Sequence, residues 1–249
     1  MEQTSDQSKL ERLRLKHSLI VPVSFLILIW LIKIFEWFFD FNLHQLGIFP
    51  LEAKGLPGLI TAPLIHSDFN HLMANTVPLF VLLWSIFYFY RPLAYRIFFL
   101  SYIITNLWIW VSAREGWHIG ASGLVYAFAA FLFFSGIIRN YFRLIAISLI
   151  VVFLYGGMFW GIFPILRDVS WEGHLLGSFS GILLAIIYRK EGPQRPSPQW
   201  EDQEDEIPEE IWNAENLKKK REEKSDHTPY PLNENNKTHQ DNTNTPTTS

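Results

Sequence analysis

The stretch HIGASGLVYAFAAFLFFSGII, residues 118–138, decides the fold class of this 249-residue chain. From Gly120 to Ile138 it carries no charged residue. A run of about 20 predominantly apolar residues is long enough to cross roughly 30 Å of hydrocarbon as a helix. The stretch therefore predicts a membrane-spanning helix that has a serine, Ser122, near its beginning.

Apolar runs of similar length recur through the first 190 residues. Hydrophobic residues make up 49% of the chain and aromatic residues 16%, and the residues after 190 are almost entirely polar. A soluble domain would not be this apolar. The six predicted spans are Ser18–Phe39, Phe69–Tyr90, Ile97–Val111, Gly120–Ile138, Leu144–Phe163 and Gly173–Tyr188, of which the third and sixth are a little short. They predict an all-α polytopic membrane protein that forms a six-helix bundle.

The lysines and arginines near the ends of these spans predict the orientation. One alternating set of span ends carries Lys9, Arg12, Arg14, Lys16, Arg91, Arg96, Arg139, Arg143, Arg189, Lys190 and Arg195; the other carries only Lys54, Arg114 and Arg167. Eleven against three places both termini in the cytoplasm and the protein in the cell membrane. We expect a cytoplasmic segment over residues 1–17, a membrane domain over 18–190 and a disordered cytoplasmic tail over 191–249.

Three further features are an apolar external loop, a predicted helix in the tail and the absence of cysteine. The external loop of residues 40–68 keeps many apolar side chains, so we expect it to lie in the interface against the helices. In the tail, Ile207–Leu217 has the pattern of one short helix. The chain has no cysteine, which excludes disulfides and thiolate chemistry.

Four polar residues share one depth in the predicted membrane. His71, Asn75, Ser122 and His174 each lie near the beginning of the second, fourth or sixth span, and these spans run in the same direction. A polar residue inside a bilayer is costly, and by default it is a functional candidate. The shared depth therefore predicts one site at the outer ends of three helices.

Ser122 and His174 have the chemistry of a nucleophile and its base. A serine hydroxyl is a weak nucleophile until a base within hydrogen-bond reach accepts its proton. Each residue also has a plainer interpretation. The small residues Gly120 and Gly123 around Ser122 are typical of close helix packing, and His174 alone is as well explained by an interhelical hydrogen bond. Small residues also recur four apart on the sixth span, at Gly177 and Gly181, where they predict close contact with another helix.

His71 and Asn75 lie four residues apart, so they face one side of the second span. As donors, together with the backbone N–H of Ser122, they suit the oxyanion of a tetrahedral intermediate. Tyr126, four residues after Ser122, is placed to stack beneath the His174 ring, although an isolated aromatic residue would simply belong to the core. His66 orients the loop or the donors, or it is a plain interfacial histidine.

Other polar residues near these positions compete for the same roles. His118 competes with His174 as the base, but it lies in a loop. Asp68 is better explained as the N-cap of the second span, and Glu172 points away from His174. Lys33 and Glu36 are one turn apart and are expected to pair or to reach the interface. A metal site at His66, His71 and His174 would leave the serine idle and lacks a His-Glu-x-x-His pattern, so we expect no metal and no cofactor.

At these residues the chain resembles the rhomboid family of intramembrane serine proteases. The matching pieces are His66-(x)4-His71-(x)3-Asn75, Gly120-Ala121-Ser122-Gly123-(x)2-Tyr126 and Gly173-His174-(x)2-Gly177-(x)3-Gly181. Their order, spacing and predicted topology agree over about residues 18–190. The resemblance implies that Ser122 is the nucleophile, that His174 is the general base, and that His71, Asn75 and the Ser122 amide form the oxyanion site. The external loop lacks the Trp-Arg pair common in relatives, and Gly173 replaces the more usual alanine.

The resemblance also implies partners, which are transmembrane protein substrates cut near their outer ends within the lipid bilayer. No nucleic acid is expected, and the sequence predicts no oligomeric state. The glycines at 156, 157 and 161 make the fifth span the predicted lateral gate, although such glycines are more often packing sites. The alternative is a non-proteolytic relative that binds or escorts membrane clients. A channel or transporter would need charged residues along the full depth of the membrane.

Overall fold

The computed structural model describes residues 2–154, 160–164, 170–194 and 214–225. Within these ranges the chain forms eight α-helices and no β-strand, which confirms the all-α prediction. The helices are α1 (Glu2–Phe38), α2 (Gly58–Thr61), α3 (Phe69–Phe89), α4 (Ala94–Ser112), α5 (Ser122–Ile138), α6 (Phe142–Leu154), α7 (Trp171–Ile187) and α8 (Ala214–Ser225). Helices α1 to α7 belong to one compact unit, Met1–Arg195, and α8 belongs to a second, Pro196–Ser249.

Three of the described helices are long and apolar enough to cross a membrane. They are Ser8–Phe38, Phe69–Phe89 and Ala94–Ser112, while the apolar helices α5, α6 and α7 are shorter. Helix α6 is described over Phe142–Leu154. Residues 155–159, which include two of the three predicted gate glycines, lie outside the described part of the chain. The six-span count therefore stays a prediction. In the tail, α8 is described over Ala214–Ser225, and residues 207–213 of the predicted short helix lie outside the described ranges.

Helix α5 forms the centre of the bundle. Its buried residues lie on all sides, as is typical of a helix surrounded by others, and they include Leu124, Phe128, Phe131 and Leu132. Its most extensive contact is with α7. Serine and threonine hydroxyls add hydrogen bonds between helices, such as the 2.7 Å bond of Thr105 Oγ1 on α4 with Ser180 Oγ on α7. Helices α4, α5 and α7 are thus held together in the bundle.

Two glycines explain how closely α5 and α7 approach. A Cβ atom added to Gly177 would lie 2.2 Å from the carbonyl oxygen of Gly123, and one added to Gly181 would lie 2.1 Å from that of Ala127. Real Cβ atoms essentially never come this close, so the two backbones are in direct contact. This contact explains the small residues four apart on the sixth predicted span.

The loop of residues 40–68 is fastened to α4 by hydrogen bonds. Asn106 Nδ2 donates to the Leu59 carbonyl at 3.0 Å, Trp110 Nε1 donates to the Glu52 carbonyl at 3.1 Å, and the Tyr102 hydroxyl donates to the Ile60 carbonyl. These donors are spaced four residues apart on one face of α4, so the loop lies along the helix. The loop reaches this position without a Trp-Arg pair, whose absence from the sequence had left its mode of docking open.

Candidate active site

Ser122 and His174 meet at the beginnings of α5 and α7. The Oγ atom of Ser122 lies 2.8 Å from Nε2 of His174, and the His174 side chain is buried. Ser170 caps α7, because its Oγ accepts a hydrogen bond from the backbone N–H of Gly173 at 3.3 Å. The structure therefore brings together the two residues that the sequence suggested as nucleophile and base.

The second ring nitrogen of His174 has a backbone partner. Nδ1 lies 2.8 Å from the carbonyl oxygen of Gly161. A carbonyl oxygen only accepts hydrogen bonds, so Nδ1 carries the proton of the neutral ring. Nε2 is then free to accept the proton of the Ser122 hydroxyl. This role of Gly161 could not be predicted from the sequence, because a backbone acceptor 13 residues away leaves no pattern in it.

Tyr126 supports the same imidazole from one face. Its ring stacks on His174 with 4.2 Å between the ring centroids and 11° between the planes. Tyr126 follows Ser122 by four residues, so both side chains lie on one face of α5. The imidazole is thus held by a hydrogen bond at each nitrogen and by a ring on one face.

His71 lies against Gly120, two residues before Ser122. A Cβ atom on Gly120 would lie 2.7 Å from Cε1 of His71, and Gly120 has a φ of +106°, which L side chains rarely adopt. Only glycine satisfies both conditions. Gly120 therefore lets the His71 ring approach the backbone that leads into α5.

The Nδ1 atom of His71 belongs to a short chain of hydrogen bonds with Ser67 and Asp68. Asp68 caps α3, as predicted, with Oδ1 accepting from the backbone N–H of His71 at 2.9 Å. Ser67 Oγ donates to Asp68 Oδ2 at 2.7 Å and lies 3.2 Å from Nδ1 of His71. The Ser67 hydrogen bond lowers the pKa of Asp68, so this carboxyl stays ionised.

The hydrogen bonds among Asp68, Ser67 and His71 fix the tautomer of His71. The single proton of the Ser67 hydroxyl is directed at a carboxylate, so its oxygen accepts the hydrogen bond from Nδ1–H of His71. A neutral His71 then has no proton on Nε2. Donation from Nε2 requires the imidazolium form, in which both nitrogens carry protons.

Asn75 is buried one turn deeper on α3. Its Nδ2 donates to the carbonyl oxygen of His71 at 3.0 Å. An amide group has two N–H donors, so one remains for another acceptor. The structure therefore places His71 and Asn75 on successive turns of one helix, as the sequence predicted, with part of the donor capacity already used.

His66 braces the residue before the candidate nucleophile. It is 1% exposed, its Nε2 accepts from the backbone N–H of Ala121 at 3.4 Å, and its ring meets that of His71 edge to face at 5.1 Å. Burial lowers the pKa of His66 to about 3, so the ring is neutral. Its Nδ1 has no hydrogen-bond partner in the described part of the chain.

The competing candidates are engaged elsewhere. Nδ1 of His118 lies 2.6 Å from Ser170 Oγ and its Nε2 lies 2.9 Å from the Arg114 carbonyl, while burial lowers its pKa. Glu172 pairs with Arg114 at 3.2 Å. Within the described ranges, no group of three or more His, Cys, Asp or Glu residues could hold a metal ion. His118, Arg114 and Glu172 stabilise the beginning of α7 around Ser170. Ser170 itself is an N-cap that could have been predicted from the sequence, because serine is favoured at the start of a helix.

Lys33 and Glu36 on α1 form a buried ion pair at 2.8 Å. The Lys33 ammonium also donates to the carbonyl oxygens of His66 at 3.0 Å and Ser67 at 2.9 Å. The pairing agrees with the expectation from their spacing. The additional bonds fasten the segment before α3 to the end of α1.

The fold and the site are those of a helical membrane protein with a Ser–His pair at the beginnings of two helices. The model of the Rhomboid domain matches residues 54–191. Uncharacterized proteins of Mycobacterium bovis and Mycobacterium tuberculosis are each 36% identical to the chain over 179 residues, which is 66% of this chain and 72% of theirs. One of Mycobacterium leprae is 32% identical over 192 residues, 71% of this chain and 73% of its own. The chain belongs to the rhomboid family, which confirms the resemblance.

Proposed function

We propose that the protein is an intramembrane serine endopeptidase that cleaves transmembrane segments of other membrane proteins near their outer ends. The observation that carries this proposal is the hydrogen-bond chain from Ser122 Oγ through His174 to the Gly161 carbonyl. A Ser–His pair oriented by a third group is the arrangement that activates a serine nucleophile. Interhelical packing alone does not need the imidazole to be fixed at both nitrogens.

The reaction follows from this arrangement. Ser122 Oγ attacks the substrate carbonyl carbon while Nε2 of His174 accepts the hydroxyl proton, which gives a tetrahedral oxyanion and an imidazolium. The imidazolium then protonates the leaving amine, the peptide bond breaks and an acyl-enzyme ester remains. Water attacks the ester as His174 accepts its proton. Return of that proton to Ser122 releases the carboxylic acid product.

The oxyanion is stabilised by donors at the beginnings of α3 and α5. The Ser122 amide lies in the first turn of α5, where N–H groups have no partner within the helix. Asn75 contributes an amide N–H, and His71 contributes Nε2–H in its imidazolium form. Tyr126 and His66 hold the His174 ring and the segment before Ser122, while Gly120, Gly123, Gly177 and Gly181 permit the close approaches around them.

The proposal includes the membrane arrangement expected from the sequence. Six helices cross the cell membrane, residues 18–190 form the membrane domain, and residues 1–17 and 191–249 lie in the cytoplasm. The dyad then lies toward the outer face. An intact helix hides its carbonyl groups in hydrogen bonds, so the substrate has to unwind locally before Ser122 reaches a peptide bond. Helix-breaking and small residues near the outer boundary therefore favour cleavage.

The test compares wild-type protein with Ser122→Ala and His174→Ala in detergent, using a generic transmembrane substrate. We expect both variants to lose cleavage while their melting temperatures stay close to that of wild type. A mechanism-based serine reagent should label Ser122, and labelling should collapse in His174→Ala. Ser178→Ala serves as the control, because this serine lies on α7 one turn after His174 and donates only to the His174 carbonyl in the described structure. Normal turnover by either variant would contradict the dyad, whereas a wild-type protein that cleaves no substrate and is not labelled by the serine reagent would favour the non-proteolytic alternative.

A further inference from the structure

A cavity of about 600 Å³ lies at the end of the bundle opposite Ser122, between α1, the end of α3 and the beginning of α4. Its basic side chains are Arg14 and His17 on α1 and Arg91 in the turn between α3 and α4. Its apolar walls include Phe87, Phe89 and Tyr95. The volume falls within the range of about 300–1,000 Å³ that small-molecule sites occupy.

Hydrogen bonds between α1 and α3 hold the base of the cavity in place. Trp84 Nε1 on α3 donates to Ser18 Oγ on α1 at 3.0 Å, and Ser18 Oγ donates to the Leu15 carbonyl at 2.8 Å. On the other wall, the rings of Phe87 and Tyr95 meet edge to face at 5.1 Å. The basic side chains therefore extend from a packed contact between helices rather than from a loose surface.

The positive charges have no acidic counterpart in the described structure. The structure gives neither Arg14 nor Arg91 an ion pair within the ranges that it describes, and both side chains are exposed. His17 lies three residues after Arg14, so the two share one face of α1. An anion in the cavity would meet two guanidinium groups, which bind phosphate oxygens in a bidentate manner.

The position of the cavity indicates which anion it takes. Arg14 and His17 come just before the apolar part of α1, and Arg91 comes two residues after α3 ends at Phe89. The cavity thus lies where hydrocarbon gives way to headgroups. From it an apolar stripe runs along α4, since Tyr95, Phe99 and Ile103 are spaced four apart and are 58%, 56% and 58% exposed. A ligand with a phosphate and an acyl chain matches both parts.

We propose that this cavity is a binding site for the headgroup of an anionic phospholipid, whose acyl chain lies along the exposed stripe of α4. Arg14 and Arg91 hold the phosphate, and the aromatic walls cover the glycerol region. Basic pockets between membrane helices recognise anionic headgroups through the same charge complementarity. The site is separate from the dyad and does not depend on the proposed proteolysis.

The experiment measures lipid retention by native mass spectrometry of the full-length protein, with phosphatidylglycerol compared against phosphatidylcholine. The test variant is Arg14→Gln/Arg91→Gln. The control variant, Arg12→Gln/Arg143→Gln, removes the same charge from exposed positions outside the cavity, and Arg12 lies about 200° around α1 from Arg14. We expect the test variant to bind phosphatidylglycerol at least tenfold more weakly than wild type, because each arginine contributes about fivefold. The control variant should lose less than threefold.

Several outcomes overturn the proposal. Equal losses in the two double variants would mean general attraction to a charged surface, and no loss in the test variant would mean that the cavity binds no phospholipid. Glycerol phosphate that competes as well as the intact lipid would show that the acyl stripe contributes nothing. Arg14→Lys/Arg91→Lys keeps the charge but loses the bidentate guanidinium geometry, so its affinity is expected to lie between wild type and the test variant. Affinity as low as that of the uncharged variant, at an unchanged melting temperature, would contradict charge complementarity as the basis of binding.

Discussion

At the residue scale, the site depends on which nitrogen of each histidine carries a proton. The Gly161 carbonyl leaves Nε2 of His174 free to accept, whereas the Ser67–Asp68 pair leaves Nε2 of a neutral His71 without a proton. The two rings are therefore set for opposite tasks. His174 works in its neutral form, and His71 donates to an oxyanion only as the imidazolium.

The first prediction concerns the tautomer of His71. Ser67→Ala removes the oxygen that accepts from Nδ1–H of His71, so the neutral ring can carry its proton on Nε2 and donate to the oxyanion. This variant should therefore have a higher kcat at neutral pH than wild type. His71→Gln also offers a neutral N–H donor and should retain more activity than His71→Ala. Measurements of kcat for these proteins test the assignment, and a lower kcat in Ser67→Ala would contradict it.

The second prediction separates oxyanion donors from structural hydrogen bonds. If Asn75 stabilises charge that appears only in the transition state, Asn75→Ala should lower kcat by about tenfold or more while KM changes little. Its bond to the His71 carbonyl is local to α3, so the melting temperature should stay within a few degrees. A destabilised protein with a normal rate per folded molecule would instead make Asn75 a structural residue.

At the element scale, the contact between α5 and α7 sets the distance between Ser122 and His174. The sequence predicted this contact from Gly177 and Gly181, because small residues four apart identify a face for close packing. It also predicted that His71, Asn75, Ser122 and His174 would share one depth, and that Tyr126 would stack on His174. It did not predict the Gly161 carbonyl or the bonds from α4 to the loop, since the partners there are backbone groups that any residue supplies.

The third prediction concerns Gly181. A Cβ atom added to Gly181 would lie 2.1 Å from the carbonyl oxygen of Ala127. This atom would push α7 away from α5. Gly181→Ala should therefore destabilise the bundle by about 1–3 kcal/mol, as overpacking does, and separate the dyad. Gly173→Ala is the matched control on the same helix, because its Cβ would lie 3.1 Å from Ser170 Oγ and 3.4 Å from Ile109. Comparing melting temperature and turnover tests this, and equal behaviour of the two variants would show that the contact is not tight.

At the scale of the whole molecule, the segment before α3 joins three elements. Lys33 on α1 binds the His66 and Ser67 carbonyls, and His66 binds the residue before Ser122 on α5. A change in one of these groups is therefore expected to affect the stability of the bundle as well as the site. His66 is the member of this group whose charge state depends on pH.

The fourth prediction follows from the lowered pKa of His66. Between pH 6.5 and about 3, the unfolded chain binds a proton at His66 that the folded protein excludes. The free energy of unfolding should therefore fall as pH decreases through this range, by at most about 1.4 kcal/mol per pH unit from this residue. His118, whose pKa is also lowered, adds to the fall. Unfolding in mixed micelles at several pH values should show a shallower slope for His66→Gln than for wild type; parallel slopes would contradict a buried neutral His66.

The last prediction concerns the orientation of the whole chain. Eleven basic residues at one set of span ends and three at the other favour a cytoplasmic location for both termini. A reporter fused after Arg195 should therefore behave as cytoplasmic, and Asn236, in an Asn-Lys-Thr sequon, should stay unglycosylated. Deletion from Pro196 onward removes a separate unit and should leave cleavage of a model substrate intact. An external reporter signal would reverse the orientation and place the dyad toward the cytoplasm, whereas loss of cleavage after truncation would give the tail a role in proteolysis.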